Sequence, residues 1–256
     1  MTSLALAVVC LGVVFLVATL DAQNPVLCDV FHPSDVTSFE RSHTQVDERT
    51  RIIDYHTEPA HWAMSSLWLR ESPTAVAPRR VEYALGTAQS YAGNAQTTTY
   101  NWSIRGVNFP TVTKGRWLIV SQWHQTYANC PPNLALEVFS AASVNRLRLV
   151  VRGGTLDTMN CSSADSRSFD LGLFENNTWL MFSMKTTWSS SREGGALSLH
   201  VNGRSLLDLN RIANLYTGQS SYMKVGLYSS DRDNTFRLEV GRKVSIEPLR
   251  CVNGQV

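Results

Sequence analysis

The chain has 256 residues, 43% of them hydrophobic, and a formal net charge of +2. This length suits one large domain with its own core, and a small basic excess without a basic cluster argues against nucleic acid as the main partner. Arginine dominates the basic residues, with 19 arginines against four lysines. Because the guanidinium is a planar fork that pairs with a carboxylate through two hydrogen bonds, this bias fits an acidic partner.

An apolar, uncharged run over residues 4–20 is followed by Asp21 and the small residue Ala22. This pattern is typical of a signal peptide cleaved after Ala22, although no basic residue precedes the run. A membrane anchor is the alternative, but the run is at the lower length limit for crossing a bilayer. We therefore predict a signal peptide over residues 1–22 and a secreted, single-domain protein over residues 23–256, with no membrane partner.

Cysteine usage fits the same compartment. Loss of Cys10 with the signal leaves four cysteines, and an even number in an exported chain predicts two disulfides. Three pairings are possible, of which we favour Cys28–Cys251, which ties the two ends together, and Cys130–Cys161, which closes a central loop. Zinc is the alternative reading. The cysteines form no Cys-x-x-Cys pair and have no histidine pair at ligand spacing beside them, so no metal is expected.

Three Asn-x-Ser/Thr sequons also fit an exported chain. They begin at Asn101, Asn160 and Asn176. Each is an acceptor pattern for N-glycosylation and therefore a predicted site. Asn101 lies inside a predicted strand.

From Val76 onward, short segments with period-two alternation and many β-branched and aromatic residues predict strands. The predicted strands are Arg79–Leu85, Thr98–Val107, Arg116–His124, Leu134–Phe139, Arg146–Arg152, Trp179–Thr186, Ala196–Val201, Arg204–Leu209, Tyr222–Tyr228 and Phe236–Val244. Asn202-Gly203 predicts a type I′ hairpin turn, because both residues tolerate positive φ. The pattern predicts an all-β fold, a β-jelly-roll sandwich of two antiparallel sheets. The polar stretch 40–53 is compatible with a short helix.

Three of the predicted strands carry polar residues at alternate positions. The segments are Arg80-Val81-Glu82, Gln122-Trp123-His124 and Tyr222-Met223-Lys224-Val225-Gly226-Leu227-Tyr228. Residues i and i+2 share one face of a strand, so the polar side chains of each segment point together. Each pattern alone is more often an ordinary surface pair. Together they predict one sheet face that is too polar for a core and suits the floor of a cleft, where Gly226 leaves room.

These segments, in this order and in an all-β frame, resemble the β-jelly-roll polysaccharide lyases, a group that includes alginate lyases with Arg-x-Glu, Gln-x-His and Tyr-x-Lys-x-Gly segments. The middle of the chain is more similar to the glucuronan lyase and heparin-lyase-like branch. Its matching elements are Gln122-Trp123-His124, Trp188-Ser189 and Asn202-Gly203. The resemblance covers about residues 79–230. It departs from the alginate-lyase pattern at Ala84, where that family has a second Arg, and at Ser229-Ser230, where it has Asn-Gln, so the polymer stays open.

The resemblance implies an enzyme that cleaves a uronate-containing acidic polysaccharide by β-elimination and needs no cofactor. It implies that Gln122 and Arg80 bind the uronate carboxylate and that Tyr222 is the acid. His124 is either the base or part of the group that neutralises the carboxylate, and Tyr222 is the other candidate for the base. The expected partner is the polysaccharide alone, bound by a monomer.

Four further residues are implied in substrate binding. Glu82 would orient Arg80, while Lys224, Tyr228 and Trp123 would line the cleft. Two other functions remain open. A non-catalytic lectin would use tryptophans as stacking platforms, with Trp102, Trp117, Trp123 and Trp188 as candidates, although core packing suits Trp117 better. A glycoside hydrolase would need two opposed carboxylates, and beside Glu82 only Glu137 lies near the motifs.

Overall fold

The computed structural model describes residues 51–55, 63–73, 78–84, 92–125, 130–157, 162–241 and 244–247. In this part of the chain all regular secondary structure is β, and the strands pair antiparallel into two sheets. No helix in these ranges is long and apolar enough to cross a membrane. The predicted signal peptide lies outside the described residues.

The larger sheet has eight strands. They are β1 (Arg51–Tyr55), β2 (Ala63–Leu69), β4 (Thr97–Gly106), β9 (Leu180–Thr187), β10 (Ala196–Val201), β11 (Arg204–Asn210), β13 (Phe236–Gly241) and β14 (Ser245–Glu247). Their order is β1–β2–β13–β4–β9–β10–β11, with β14 also paired to β4.

The smaller sheet has six strands. They are β3 (Arg79–Ala84), β5 (Leu118–Gln125), β6 (Leu134–Ala141), β7 (Val144–Asp157), β8 (Ser162–Leu173) and β12 (Ser221–Ser229), in the order β3–β12–β5–β6–β7–β8. Strand β12, late in the chain, therefore lies between two early strands. This arrangement confirms the predicted all-β jelly-roll sandwich.

The ten predicted strands are all present, with ends that shift by a few residues. Four strands were not predicted: β1, β2, β8 and β14. The alternation missed β8 because this edge strand is rich in serine and aspartate and most of its described side chains are exposed or half-buried. The suggested helix over 40–53 is wrong for residues 51–53, which belong to β1, while residues 40–50 lie outside the described ranges. The hairpin turn is confirmed by positive φ at Asn202 (50°) and Gly203 (77°).

The core between the sheets is closed by aromatic rings from both. The Trp123 ring on β5 meets the rings of Tyr100 and Trp102 on β4 edge-on, each at a centroid distance of 5.4 Å. The Trp102 ring stacks on Phe182 of β9 at 4.8 Å. Such pairs add specific geometry to the burial of a large apolar area. Trp102, Trp123 and Trp188 are all buried, so they are core residues and cannot be stacking platforms for a sugar.

Candidate active site

A cleft of about 790 Å³ opens on the face of the six-stranded sheet that points away from the core. Residues from all three polar segments line it. They are Arg80, Gln122, His124, Tyr222, Lys224 and Tyr228. The structure therefore brings together the four residues expected to be catalytic and two of those expected to bind substrate.

The alternation of apolar and polar residues along β12 explains this placement. Met223, Val225 and Leu227 are fully buried in the core between the sheets. Tyr222, Lys224 and Tyr228 occupy the intervening positions and line the cleft. Since successive side chains of a strand point to opposite faces, the apolar set fixes the direction of the polar set.

The same rule overturns one expectation on β5. Gln122 and His124 line the cleft, whereas Trp123 between them is fully buried in the core. The prediction that Trp123 contacts substrate is therefore wrong, because its neighbours can face the cleft only if it faces inward. Its contribution is to anchor the strand that carries them.

Tyr222 and His124 are direct cross-strand partners on β12 and β5. Their ring centroids lie 6.1 Å apart, with the ring planes inclined by 50°. The His124 Nδ1 atom is 3.0 Å from the backbone carbonyl of Gln125. A carbonyl oxygen only accepts, so this contact places a proton on Nδ1, and the neutral ring then has its basic lone pair on Nε2.

Three buried polar side chains lie at the floor of the cleft. The Gln122 amide Nε2 donates a hydrogen bond to Oε1 of Glu82, and both side chains are buried beside Lys224. Burial lowers the pKa of Lys224, the charge of Glu82 raises it, and the charge of Arg80 lowers it again, with a net lowering. Glu82 was expected to orient Arg80, but the contact it makes is with Gln122.

The Glu82–Gln122 bond depends on the strand between them. Gly226 is the cross-strand partner of Glu82 and has φ of +152°. A Cβ atom there would stand 2.3 Å from the Val81 carbonyl oxygen and 2.6 Å from the Glu82 Cα. Only glycine permits this close approach of β3 and β12. The expectation that Gly226 leaves room in the cleft is wrong, because the β3 backbone occupies the place of its side chain and Gly226 does not line the cleft.

An aromatic pair forms one end of the cleft. The Arg80 guanidinium lies over the Tyr228 ring at 4.7 Å, and the Trp117 ring meets Tyr228 edge-on at 4.9 Å. Burial raises the pKa of Tyr228, Arg80 opposes that change, and Glu82 adds to it. Trp117 lines the cleft, so the expectation that it packs in the core is wrong.

The opposite wall of the cleft, on β6 and β7, is formed by residues to which the sequence motifs assign no role. Glu137 on β6 and Arg148 and Arg152 on β7 line the cleft. Their signal in the sequence was the alternation of Arg146, Arg148, Val150 and Arg152, in which charged residues occupy one face of a strand. The backbones of Glu82 and Glu137 are three strands apart, roughly 15 Å, and both carboxylates are already hydrogen-bonded. This is not the opposed pair that a glycoside hydrolase requires.

The disulfide and glycosylation predictions are only partly within the described residues. Cys130 lines the cleft and is disulfide-bonded. Its partner lies outside the described residues, as do Cys28, Cys161 and Cys251, so the two pairings stay predictions.

Of the sequon residues, Asn101 lies half-exposed on β4, and Asn160 is outside the described ranges. Asn176 is exposed, and its side-chain amide exchanges two hydrogen bonds of 2.8 Å with the backbone of Phe109. Glycosylation stays a prediction at all three. Across the described ranges, no group of three or more His, Cys, Asp or Glu side chains could hold a metal ion.

The jelly-roll sandwich has a polar cleft on one sheet, where a tyrosine and a histidine stand above buried amide, carboxylate and ammonium groups, the kinds of group that acid–base catalysis uses. A family model described as polysaccharide lyase matches residues 45–242. The chain therefore belongs to the polysaccharide lyase family. A comparison with curated protein sequences finds no match.

Solved structures show the same fold at low sequence identity. The endo-β-1,4-glucuronan lyase of the fungus Trichoderma reesei has a TM-score of 0.64 at 14% identity, over 78% of this chain and 88% of that enzyme. The alginate lyase AlyC3, solved with dimannuronate, has a TM-score of 0.52 at 13% identity, over 72% and 73%. The marine alginate lyase AlyA1 of Zobellia galactanivorans has 0.50 at 16% identity, over 81% and 86%.

Proposed function

We propose that this polysaccharide lyase cleaves a uronate-containing acidic polysaccharide by β-elimination, as a secreted monomer. The observation that carries the proposal is the cross-strand pair of Tyr222 and His124 above the buried Gln122. Two groups able to exchange a proton thus stand beside an amide donor and a nearby guanidinium, within one cleft. Two similar structures, a glucuronan lyase and an alginate lyase solved with dimannuronate, support the choice of polymer class.

The reaction needs the uronate carboxylate to be neutralised, so that the C5 proton becomes acidic. Gln122 and Arg80 supply hydrogen-bond donors for that carboxylate, and Lys224 supplies a nearby positive charge. A base then takes the C5 proton, a double bond forms between C4 and C5, and the C4–O4 bond breaks. Tyr222 gives its hydroxyl proton to the departing O4. The products are an unsaturated uronate end and a free hydroxyl on the leaving chain.

The stereochemistry of the substrate decides which group is the base. In glucuronate or mannuronate the C5 proton and O4 leave from the same side, so Tyr222 can serve as both base and acid. In guluronate or iduronate they leave from opposite sides, which requires His124 opposite Tyr222. The Nδ1 contact of His124 with the Gln125 carbonyl suits the second role, because it leaves the basic lone pair on Nε2.

The test follows the ultraviolet absorbance of unsaturated uronate on glucuronan, mannuronate-rich and guluronate-rich alginate, heparin-like and ulvan-like polymers. We expect an increase on at least one polyuronate. His124→Ala then assigns the base: loss of activity confined to guluronate or iduronate polymers identifies His124 as the base. Equal loss on all polymers places it at the carboxylate. Binding of a uronate polymer without any unsaturated product would contradict the proposed reaction and favour a lectin.

A further inference from the structure

The wall of the cleft on β6 and β7 carries charges that the elimination reaction does not use. Glu137, Arg148 and Arg152 line this wall, opposite the side that holds Gln122 and Lys224. Glu137 is almost fully buried, and both arginines are partly exposed. One buried acid beside two arginines leaves the wall with a net positive charge.

Arg148 is held in position before any ligand arrives. Its Nε and a terminal nitrogen lie 2.8 and 2.7 Å from the same Glu137 oxygen, Oε2. Its guanidinium also lies over the Phe139 ring at 4.7 Å. About one third of the side chain stays exposed, and Arg148 lines the cleft. A cation fixed in this way loses little conformational freedom when it binds an anion.

Arg152 extends the same charged wall. One of its terminal nitrogens lies 3.9 Å from Glu137 Oε1, so Glu137 is shared between the two arginines. A second nitrogen donates to the Pro132 carbonyl at 3.2 Å. The two guanidinium groups therefore stand next to each other across one carboxylate, with donors left over for a second carboxylate from solution.

An apolar strip borders this wall. Ile119, Ala135 and Val150 form a small buried cluster on the cleft side of the sheet, with Trp117 and Tyr228 packed against it. The C–H face of a sugar ring packs against such a strip, while its charged substituent requires a polar partner at the edge. The strip and the wall together provide both.

The spacing assigns the wall to a different sugar residue. Gln122 on β5 and Arg148 on β7 are separated by two strand intervals, about 10 Å. The Gln122 amide is bound to Glu82 on β3, on the side away from β7. The Arg148 guanidinium is held at Glu137 and Phe139, further along β6 than Ala135, the cross-strand partner of Gln122. The two donors are therefore held apart by their own partners. We propose that Arg148 and Arg152 bind the carboxylate of a uronate residue other than the one that is cleaved, and so select for chain segments with a second uronate. This inference rests on the proposed function, because it presumes a uronate polymer.

The test compares kinetics on purified oligouronates of increasing length. In Arg152→Ala, which leaves the Arg148–Glu137 pair intact, we expect KM to rise roughly 10-fold on long oligomers with little change in kcat, the effect of losing one charge-assisted bond. The double variant Arg148→Ala/Glu137→Gln removes the cation without leaving a buried unpaired carboxylate, and it should raise KM by roughly 10- to 100-fold. On the shortest cleaved oligomer both variants should match the unaltered protein.

Arg146→Ala is the matched control. Arg146 is two residues before Arg148 on β7, is paired with Asp170 at 2.9 Å and does not line the cleft. Kinetics of the two wall variants that equal those of Arg146→Ala at every length would overturn the inference while leaving the lyase reaction standing. If the unaltered protein yields no unsaturated product on any polymer, the proposed function fails instead. A loss of kcat/KM that is equal at all lengths would also contradict a distant subsite.

Discussion

Gln122 and Glu82 are joined by a hydrogen bond that crosses the intervening strand β12. Both side chains are buried, so the bond is made where water cannot substitute for either partner. It directs the Gln122 amide and holds a negative charge near the buried Lys224, whose pKa Glu82 raises against the stronger lowering by burial. Glu82 is therefore a positioning residue for two groups of the proposed carboxylate site.

The first prediction concerns the negative charge of Glu82. Glu82→Gln keeps an acceptor oxygen for Gln122 but removes the anion that favours protonated Lys224. The pKa of Lys224, already lowered by burial, should then fall further, so Lys224 loses its proton at lower pH. We expect the alkaline limb of the kcat/KM profile to move to lower pH, so that the loss of kcat/KM relative to the unaltered protein grows as pH rises.

Glu239→Gln serves as the control, because Glu239 is a buried carboxylate on the larger sheet, bound to Arg105 and Arg237. This change should leave the alkaline limb in place, whatever it does to stability. An unchanged profile in Glu82→Gln would remove Glu82 from the positioning role. Glu82→Ala, which also removes the acceptor, should be more damaging than Glu82→Gln.

The second prediction concerns the acid. Tyr222→Phe retains the ring that faces His124 and lies under the Lys224 ammonium at 5.4 Å, and it removes only the hydroxyl. Turnover should fall by roughly 10²–10⁴, the usual range for loss of a general acid–base group. Polymer binding should change little, since the hydroxyl acts mainly in the transition state. Steady-state absorbance kinetics and calorimetric binding measure the two effects separately.

Tyr100→Phe is the matched control, because it deletes a phenol hydroxyl from the core of the sandwich. Turnover of that variant should stay near the unaltered value. Full activity in Tyr222→Phe would show that another group protonates O4.

The third prediction concerns Gly226, at the point where β12 lies close to the backbone of β3. Gly226→Ala should destabilise the fold by about 2–4 kcal/mol, because its Cβ would overlap the β3 backbone and its φ of +152° disfavours side chains. Urea unfolding measures the change. Gly93→Ala is the control, since the nearest atom to its Cβ would be 3.9 Å away. The free energy of unfolding of Gly93→Ala should stay within about 0.5 kcal/mol of that of the unaltered protein. Equal stability of both variants would refute the close approach of β12 and β3.

The fourth prediction concerns pH and stability. Burial raises the pKa of Asp231, but hydrogen bonds from Thr113, Asn234 and Asp233 outweigh it, and the net pKa is below 3.8. A lowered carboxyl pKa contributes stability above the unfolded value, and the contribution is lost as pH falls through the folded value. Asp231→Asn should cost about 1–3 kcal/mol at pH 7, because an amide nitrogen cannot accept these donors.

The difference in the free energy of unfolding between Asp231→Asn and the unaltered protein should become smaller below pH 3.8, as the Asp231 carboxylate also becomes protonated. Denaturant midpoints measured across pH for both proteins give the comparison. Asp208→Asn, on exposed β11, should cost less than about 0.5 kcal/mol. A constant difference between Asp231→Asn and the unaltered protein down to pH 2 would contradict the assignment.

Alternation within single strands was sufficient to predict most strands and the shared direction of Gln122 with His124 and of Tyr222 with Lys224, because side-chain direction is a local property. It could not predict which strands are neighbours. The order β3–β12–β5 brings Glu82 to Gln122 rather than to Arg80, and this contact spans two strand intervals. Treating Gln122-Trp123-His124 as one motif hid the inward direction of Trp123, which the same alternation rule implies.

The far wall was missed for a related reason. Arg148 and Arg152 look like ordinary exposed residues of a surface strand, and only the pairing of β6 with β7 places them beside Glu137. The two positions that carry Glu137 and Arg148 are direct cross-strand partners. No feature of either strand alone identifies the other as its neighbour.

The insertion of β12 between β3 and β5 has a consequence for how the enzyme becomes active during synthesis. The cleft floor needs residues that are separated by more than 130 positions in the chain, from Arg80 to Tyr222. Until β12 leaves the ribosome, β3 and β5 have no strand between them and the floor has no tyrosine. Long-range pairing of this kind is slow to form. Catalytic competence should therefore arise late, after β5 to β8 have formed their local antiparallel pairs, and a nascent chain without β12 should be inactive.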